Sequence, residues 1–499
     1  MREAFPQQMK LGQVAIKDIK LNPKSRDDIP QVLMGLQWLY TNEPVREEIF
    51  NLLVEKLQPK KSMDNGRPGM SYWEIFVMGI LRLTLNWDYD ALHEQANEHQ
   101  KIRQMLGQTW AIPQEYSLQA IKDNVRLLTP EILDQINQIT VKAGHNLVKK
   151  KEGEEQLKSR VDSFVVETNI HYPTDTNLLW DAMRKVIILI AELCLLCGLT
   201  DWRQHHFNLK QVKRHFRKTQ IKKGRKKSDP TPQQEAQQKT KQEEAVKDYV
   251  QLCEHYLQRA LITLGKLNDS ELNPKAQDLI KEIEKYIKHA KRQIDQIDRR
   301  VLRNETIPHE EKVFSLFQPH TEWISKGKAG VSVELGVRVC IAEDQHQFIL
   351  HHQVMYEQSD SEIAIPMVEK MKEKFPELYS CSFDKGFHSP ANQKKLKELL
   401  PSVALPRKGK LSKSAKEIES SEAFQEAKQK HSAVESAINA LEVHGLDRCP
   451  DSGTDGFDRY VSLAILARNI QRIGAILQQK NKKREQRKKR KLERQRSID

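Results

Sequence analysis

A short strand that ends on a carboxylate, within residues 379–396, constrains the fold of this chain more than any other segment. The segment reads YSCSFDKGFHSPANQKKL, in which the apolar Cys381 and Phe383 alternate with serines before Asp384. Such alternation predicts a short buried strand, and the Gly and Pro that follow predict a turn before a helix. A carboxylate at the C-terminal end of such a strand lies where open α/β sheets bind ligands. The sequence therefore predicts an α/β sheet with Asp384 at its ligand-binding edge.

Two further acids lie in patterned segments and are candidates to meet Asp384. Asp162 lies in SRVDSFVVETNIHYPTD, whose β-branched run predicts a strand that buries it. Glu435 lies in HSAVESAINALEVHGL and borders an apolar stripe at helical spacing. Buried acids destabilise a fold unless a cation pairs with them, and a divalent metal is the usual partner where several carboxylates meet. For Asp384 taken alone, a turn or N-cap role is the alternative.

The order of the three acids along the chain resembles that of the DDE transposases of bacterial insertion sequences. One Asp lies on a first strand, the second lies in a D-x-G-F turn, and the Glu lies on a helix about fifty residues later. Four segments are similar specifically to the ISNCY group: VDSFVVETNIHYPTD, HTEWISKGKAGVSVELG, FDKGFHSPANQ and VESAINALEVHGLDRC. The resemblance covers most of the chain from about residue 160 onward and the helical N-terminus. It implies an RNase H-like catalytic core with Asp162, Asp384 and Glu435 as its catalytic acids.

The resemblance also implies a chemistry. Phosphodiester hydrolysis in such a site uses two Mg²⁺ ions about 3.5 to 4 Å apart, one at the attacking and one at the leaving oxygen. We expect Asp162 to bind both ions, Asp384 to bind one and Glu435 to bind the other, with Mn²⁺ able to substitute. The freed 3′-hydroxyl would then attack target DNA in the same site. The expected partners are element ends and target DNA, bound by a homodimer or a higher homo-oligomer.

Two other functions fit the same pattern of acids. A related nuclease would cut DNA without joining the product to a target. A non-catalytic DNA-binding protein derived from a transposase would bind DNA only. The latter predicts a broken acidic set, whereas Asp162, Asp384 and Glu435 are all present.

The charge of the chain favours a polyanionic partner. Its 82 Lys and Arg against 68 Asp and Glu give a formal net charge of +14, and many of the cations are clustered. Clustered positive charge favours phosphate contacts, although a solvated face is the alternative. The six Cys lie in apolar segments, as is typical of reduced thiols in cytosolic proteins, and the longest apolar run, near 186–199, is too short to span a bilayer. We expect a bacterial cytoplasmic protein associated with the nucleoid and not with a membrane.

The patterns divide the chain into five parts. The predicted parts are a helical N-terminal DNA-binding or dimerisation domain at 1–150, the first part of the α/β RNase H-like core at 158–180, a helical insertion at 181–312, the remainder of the core at 313–478 and a basic tail at 479–499. The N-terminal helices fit either a helix-turn-helix DNA reader or a bundle that packs against the core. In the insertion, an apolar seam between residues 280 and 301 predicts an antiparallel coiled-coil hairpin with the preceding helix.

Several cations and polar residues are candidates for contact with DNA. One group lies around the catalytic segments and another lies in the basic stretch of the insertion, RHFRKTQIKKGRKK. Positive and polar side chains in exposed loops suit contact with phosphate oxygens. The candidates are Lys326, Lys328, His388, Asn392, Arg407, Lys408, Arg214, Arg217, Lys222, Lys223 and Arg225.

Overall fold

A mixed β-sheet carries two of the three acids singled out in the sequence. The computed structural model describes residues 3–5, 9–57, 69–109, 111, 114–148, 156–220, 232–267, 273–325 and 333–496. The strands in these ranges are β1 (Leu157–Thr168), β2 (Glu322–Ser325), β3 (Val333–Asp344), β4 (Ile349–Met355), β5 (Leu378–Phe383), β6 (Ser402–Ala404) and β7 (Arg448–Cys449).

The sheet combines an antiparallel half with a parallel half. Strand β1 pairs antiparallel with β3, and β3 pairs antiparallel with β4. The second pairing confirms the hairpin that the alternating segments VSVELGVRVCIAED and HQFILHHQVM predict around the turn-like EDQH. On its other side β1 pairs parallel with β5, which in turn pairs parallel with β6. The two short strands β2 and β7 pair with β3 and β1 respectively. Strand β1 is therefore central and places its residues between β3 and β5.

Helices before β1 and after β7 share one hydrophobic core with the sheet. The N-terminal helices are α1 (Asp28–Thr41), α2 (Glu43–Leu57), α3 (Tyr72–Thr84), α4 (Tyr89–Glu98), α5 (Gln100–Met105), α6 (Leu118–Val125) and α7 (Pro130–Leu147). The helices between and after the later strands are α12 (Asp360–Lys374), α13 (Pro390–Leu399), α14 (Lys413–Ser420), α15 (Glu422–His431), α16 (Ala433–Leu441) and α17 (Thr454–Arg496). Helix α17 packs against α1, α3 and α7. This packing is that of a bundle covering the core, and a DNA-reading role for residues 1–150 stays a prediction.

The segment between β1 and β2 forms a compact helical unit with its own core. This unit comprises residues 170–321, and residues 1–169 and 322–499 form the other unit. Its helices are α8 (Asp175–Leu196), α9 (His205–Thr219), α10 (Pro232–Leu264) and α11 (Pro274–Ile297). Thus α8 begins within the stretch 158–180 that the sequence assigned to the first part of the core.

The apolar seam of α11 has a different partner from the one predicted. Ile283, Ile287 and Ala290 of the seam are buried as expected. However, α11 packs mainly against α8 and touches α10 over a small area, while α10 packs mainly against α9. The predicted pairing of α10 with α11 as a coiled-coil hairpin is therefore wrong. The physical reason is that α8 presents a long run of apolar side chains, such as Met183 and Ile187, that are fully buried in this unit.

None of the helices in the described ranges combines the length and the apolar character needed to cross a membrane.

Candidate active site

The register of the sheet brings Asp162 and Asp384 side by side. Val161 of β1 pairs with Phe383 of β5 in the parallel ladder, and each of the two acids comes next in its own strand direction. Neighbouring strands lie about 4.8 Å apart, and paired positions of parallel strands face the same side of the sheet. The apolar Val161 and Phe383 anchor the ladder because both are buried. Asp162, in the middle of the central strand β1, and Asp384 therefore lie next to one another at the C-terminal end of β5.

Glu435 reaches the same region from helix α16. Val434, Ala437 and Leu441 form the buried face of this helix, which packs against β1. Glu435 follows Val434 and is exposed at the border of that face, as the sequence predicted. Its charge acts on the carboxyl group of Asp162, which places the two groups near one another.

The pKa of Asp162 reflects the presence of the other acids nearby. Burial raises the pKa of Asp162 to about 6, opposed by the backbone N–H of Ser163, which donates to Oδ1 of Asp162 at 2.8 Å. The negative charges of Asp384, Asp360 and Glu435 raise the pKa further. A nearby like charge disfavours the ionised form of a carboxyl group and so raises its pKa. The three predicted acids thus lie in one neighbourhood, together with a fourth.

The fourth acid, Asp360, was missed in the sequence. It is the first residue of α12 and its Oδ1 accepts a hydrogen bond from the hydroxyl of Ser163 at 2.6 Å. The sequence does signal a helix start here, because Ser359 and Glu362 have the spacing of a capping box. That signal gives the local structure of Asp360 but not its tertiary neighbours, which depend on how α12 packs after β4.

His431, the last residue of α15, contacts strand β5. Its Nδ1 lies 3.1 Å from the hydroxyl of Ser382, and it precedes Glu435 of α16 by four residues. Burial lowers the pKa of His431, while the charges of Asp384 and Glu435 oppose that shift. The imidazole is therefore held beside the acids, and the sequence alone had not selected it as a site residue.

Two of the candidate DNA contacts follow β6 at the same edge of the sheet. Lys408 is exposed, and its Nζ donates to the carbonyl oxygen of Gly386 at 2.9 Å, two residues beyond Asp384. Arg407 is half-buried, and its backbone N–H donates to Glu419 at 2.9 Å. Because β6 runs parallel to β5, both cations lie near the end of β5.

His388 and Asn392 follow Asp384 but differ in their surroundings. His388 is half-buried just beyond the turn. Asn392 is 5% exposed, and its side-chain amide donates to the carbonyl oxygens of Ser361 at 2.6 Å and Phe387 at 2.9 Å. The amide of Asn392 is thus engaged within the protein, so that its placement favours a structural role over contact with DNA.

The remaining candidate DNA contacts are two arginines of α9 and five cations outside the described residues. Arg214 and Arg217 are exposed on α9. Lys222, Lys223, Arg225, Lys326 and Lys328 lie outside the described residues. A contact of any of these cations with DNA stays a prediction.

The donor chemistry of the site fits a hard divalent cation. The negative charges of three other carboxylates, those of Asp384, Asp360 and Glu435, act on that of Asp162. Carboxylate oxygens are the ligands that Mg²⁺ and Mn²⁺ prefer, and excess negative charge favours their binding. Within the described ranges, no three Asp, Glu, His or Cys side chains are already arranged to hold a metal ion.

Comparison with protein-family models, with curated proteins and with solved structures found no match to this chain.

Proposed function

We propose that this chain is a DDE-type DNA transposase that cleaves the ends of an insertion sequence and joins the 3′-hydroxyl to target DNA. The observation that carries the proposal is the proximity of Asp162, Asp384 and Glu435 at the C-terminal end of β5, although the last is 273 residues from the first. Functional carboxylates are distinguished from capping or turn residues by such convergence at a strand end.

The sheet topology supports an RNase H-like core for this proposal. The first strand lies in the centre, the next long strands β3 and β4 add to it antiparallel, and β5 and β6 add to its other side in parallel. This is the arrangement expected of an RNase H-like sheet. The helical unit at 170–321 is then an insertion between the first strand and the rest of the core.

The proposed mechanism assigns a role to each acid. The charges of both other acids act on Asp162, and in this proposal Asp162 would therefore bind both of two Mg²⁺ ions, with Asp384 binding one and Glu435 the other. When bound, the ions would activate the attacking oxygen and stabilise the charge on the leaving oxygen. The proposal requires the carboxylates to close around the ions as they bind. Lys408, exposed beside the turn after Asp384, is placed to hold a DNA phosphate next to the acids.

The partners in this proposal are element-end DNA and target DNA. The positive net charge of the chain supports DNA as the polyanion. A homodimer or higher homo-oligomer would hold two element ends together, in the bacterial cytoplasm at the nucleoid.

The proposal is tested with DNA that carries the ends of the insertion sequence encoding this chain. Wild-type protein with Mg²⁺ should nick at the element boundary and join the end to target DNA, whereas Asp384→Asn should lose at least about 100-fold in nicking while still binding DNA. Asp278→Asn, an exposed substitution of the same type on α11, serves as the matched control and should act like wild type. Equal cleavage by wild type and Asp384→Asn would remove this site from the reaction, and nicking without joined product would assign a nuclease instead.

A further inference from the structure

Asp360 connects the strand that carries Asp162 to the turn that follows Asp384. We propose that Asp360 is a positioning residue that sets the separation of these two catalytic acids through Ser163 and Gly386. The inference rests on the proposed function, since it concerns the geometry of the same site. Asp360 is not one of the three acids of the DDE pattern.

The first half of the connection runs through Ser163. The backbone N–H of Ser163 donates to Oδ1 of Asp162 at 2.8 Å, and its hydroxyl donates to Oδ1 of Asp360 at 2.6 Å. Both partners of Ser163 are thus carboxylates at the site. A hydrogen bond to a charged acceptor is stronger and more directional than a neutral one. Asp360 therefore restrains the part of β1 from which Asp162 projects.

The second half of the connection runs through Gly386. A Cβ atom built on Gly386 would lie 2.8 Å from Oδ2 of Asp360, closer than Cβ atoms approach an oxygen. The absence of a side chain at position 386 therefore lets the turn after Asp384 lie directly against the Asp360 carboxylate. Since Oδ1 is held by Ser163, the carboxylate cannot turn away freely to make room. The spacing between the turn and β1 is thus set by the width of one carboxyl group.

The ordinary reason for an acid at this position does not account for these contacts. Acids in the first turn of a helix often cap its free N–H groups or interact with its dipole. In α12, Glu362 already closes the helix start, because its carboxylate accepts from the backbone N–H and the hydroxyl of Ser359, both at 2.7 Å. Asp360 instead faces β1 and the Asp384 turn.

A second contact holds the same two elements together. The buried amide of Asn392 on α13 joins the carbonyl oxygen of Ser361 in α12 to that of Phe387 in the turn, at 2.6 and 2.9 Å. The start of α12 and the turn after Asp384 therefore form one rigid piece. Asp360 is the part of that piece that contacts β1.

The test is a double-mutant cycle on nicking activity, with the metal response as a second measurement. Ser163→Ala and Asp360→Ala should each slow nicking about 10- to 100-fold, because a small misplacement of catalytic groups has effects of this size. The double variant should be no slower than the slower single variant, since both changes remove the same contact. Asp360→Asn keeps an acceptor oxygen and should be faster than Asp360→Ala. Gly386→Ala should slow nicking by about as much as Ser163→Ala does.

The metal response separates positioning from a general loss of stability. The variants of Ser163, Asp360 and Gly386 should each need a higher Mg²⁺ concentration for half-maximal nicking. Mn²⁺ should raise the melting temperature of each variant less than it raises that of wild type. Glu362→Gln, two residues along the same helix, is the matched control, and it should lower the melting temperature while leaving the Mg²⁺ requirement within about 2-fold of wild type.

The outcomes distinguish this inference from the proposed function. Wild-type protein that does not nick would refute the proposed function and the positioning role with it. If wild type nicks and Ser163→Ala matches it in rate and Mg²⁺ requirement, the positioning role alone is overturned. Inactive Asp360→Asn combined with fully active Ser163→Ala would also overturn it, because Asp360 would then act by direct contact with the metal or the substrate.

Discussion

Asp162 is a carboxyl group that the metal-free fold holds in an unfavourable state. Burial and three neighbouring acids raise its pKa to about 6, above the ordinary value for Asp. A group whose pKa is raised in the folded protein destabilises that protein at any pH where it must ionise. Such destabilisation at functional sites is common, because the arrangement that binds a ligand is not the most stable one in its absence.

Removal of the charge on Asp162 should therefore stabilise the metal-free protein. Below about pH 4 the group is largely protonated in both folded and unfolded states, and the wild-type protein should lose stability relative to Asp162→Asn as the pH rises from about 4 to about 6, with no further loss above that range. At pH 8 without metal, we expect Asp162→Asn to raise the free energy of unfolding by about 2 kcal/mol. Urea unfolding at pH 4 and pH 8 measures the difference.

Metal should reverse the order of stability of these two proteins. Mg²⁺ or Mn²⁺ should stabilise wild type more than Asp162→Asn, because only the former has the full set of carboxylates. The exposed substitution Asp278→Asn serves as the control. It should change neither the stability of the metal-free protein nor the stabilisation by added metal. A metal-free Asp162→Asn protein less stable than wild type at pH 8 would contradict the destabilising charge of Asp162.

The sequence predicts those candidate site residues whose position follows from the pattern of their neighbours along the chain. Asp384 could be predicted because it ends an alternating strand, Asp162 because it lies within a β-branched strand, and Glu435 because it borders a helical stripe. Asp360 could not be predicted, because its contact with Ser163 joins residues 197 positions apart along the chain. Asn392 was predicted as a DNA contact because polarity alone does not show that its amide is used within the protein.

At the scale of helices and strands, close backbone contact decides how α1 and α17 cross. A Cβ on Gly35 of α1 would lie 2.3 Å from the carbonyl oxygen of Ile470, and a Cβ on Gly474 of α17 would lie 1.9 Å from that of Gln31. Because neither glycine has a side chain, the backbones of the two helices come into direct contact at these positions. Helix α17 is held in this way against the N-terminal helices on one side while its other contacts reach β4.

A methyl group at this crossing should destabilise the protein. We expect Gly474→Ala to lower the free energy of unfolding by at least about 2 kcal/mol, since neither backbone can move without displacing its helix. Gly456→Ala in the same helix is the matched control: its nearest atoms would lie at 3.4 Å or more, and Ala favours helix more than Gly. Chemical denaturation of both variants checks the difference, and an equally stable Gly474→Ala would contradict the tight crossing.

Pairing of elements was predictable only where the chain turns back at once. The β3–β4 hairpin could be read from two alternating strands around a short turn. The partner of the α11 seam could not, because a seam shows that a helix packs but not against which surface. In this unit the more apolar α8 takes the seam, although α10 is the sequence neighbour of α11.

At the scale of the whole molecule, charge is concentrated at the end of the longest helix. Between residues 480 and 496 the chain has eleven Lys or Arg against two Glu. The start of this stretch is tied to the N-terminal helices, because Nζ of Lys480 donates to the carbonyl oxygen of Leu147 at 2.7 Å. Helix α17 continues through the stretch, and its cations at 482–490 are exposed. The basic tail, as far as residue 496, thus continues the helix α17, which begins at Thr454.

An ordered row of exposed cations should contact several DNA phosphates at once. Each phosphate contact releases counterions, so that the logarithm of the affinity falls with the logarithm of salt concentration by about 0.9 per contact. Replacing four cations of this row by Gln should therefore reduce the slope for a DNA duplex of unrelated sequence by up to about 3 and weaken binding at low salt. The four residues are Lys482, Lys483, Arg487 and Lys488.

A control with the same change of net charge separates contact from general attraction. Four exposed lysines of α11 are suitable for replacement by Gln: Lys281, Lys285, Lys288 and Lys291. If the tail binds phosphates, the tail variant should lose more of the salt slope than the α11 variant, as measured by fluorescence anisotropy between about 50 and 200 mM salt. Equal slopes for the two variants would show that the tail acts only through the net charge of the protein. Because the tail lies outside the acidic site, its variant should keep the Mg²⁺ requirement for nicking at element ends, so that weaker DNA binding and impaired chemistry are told apart.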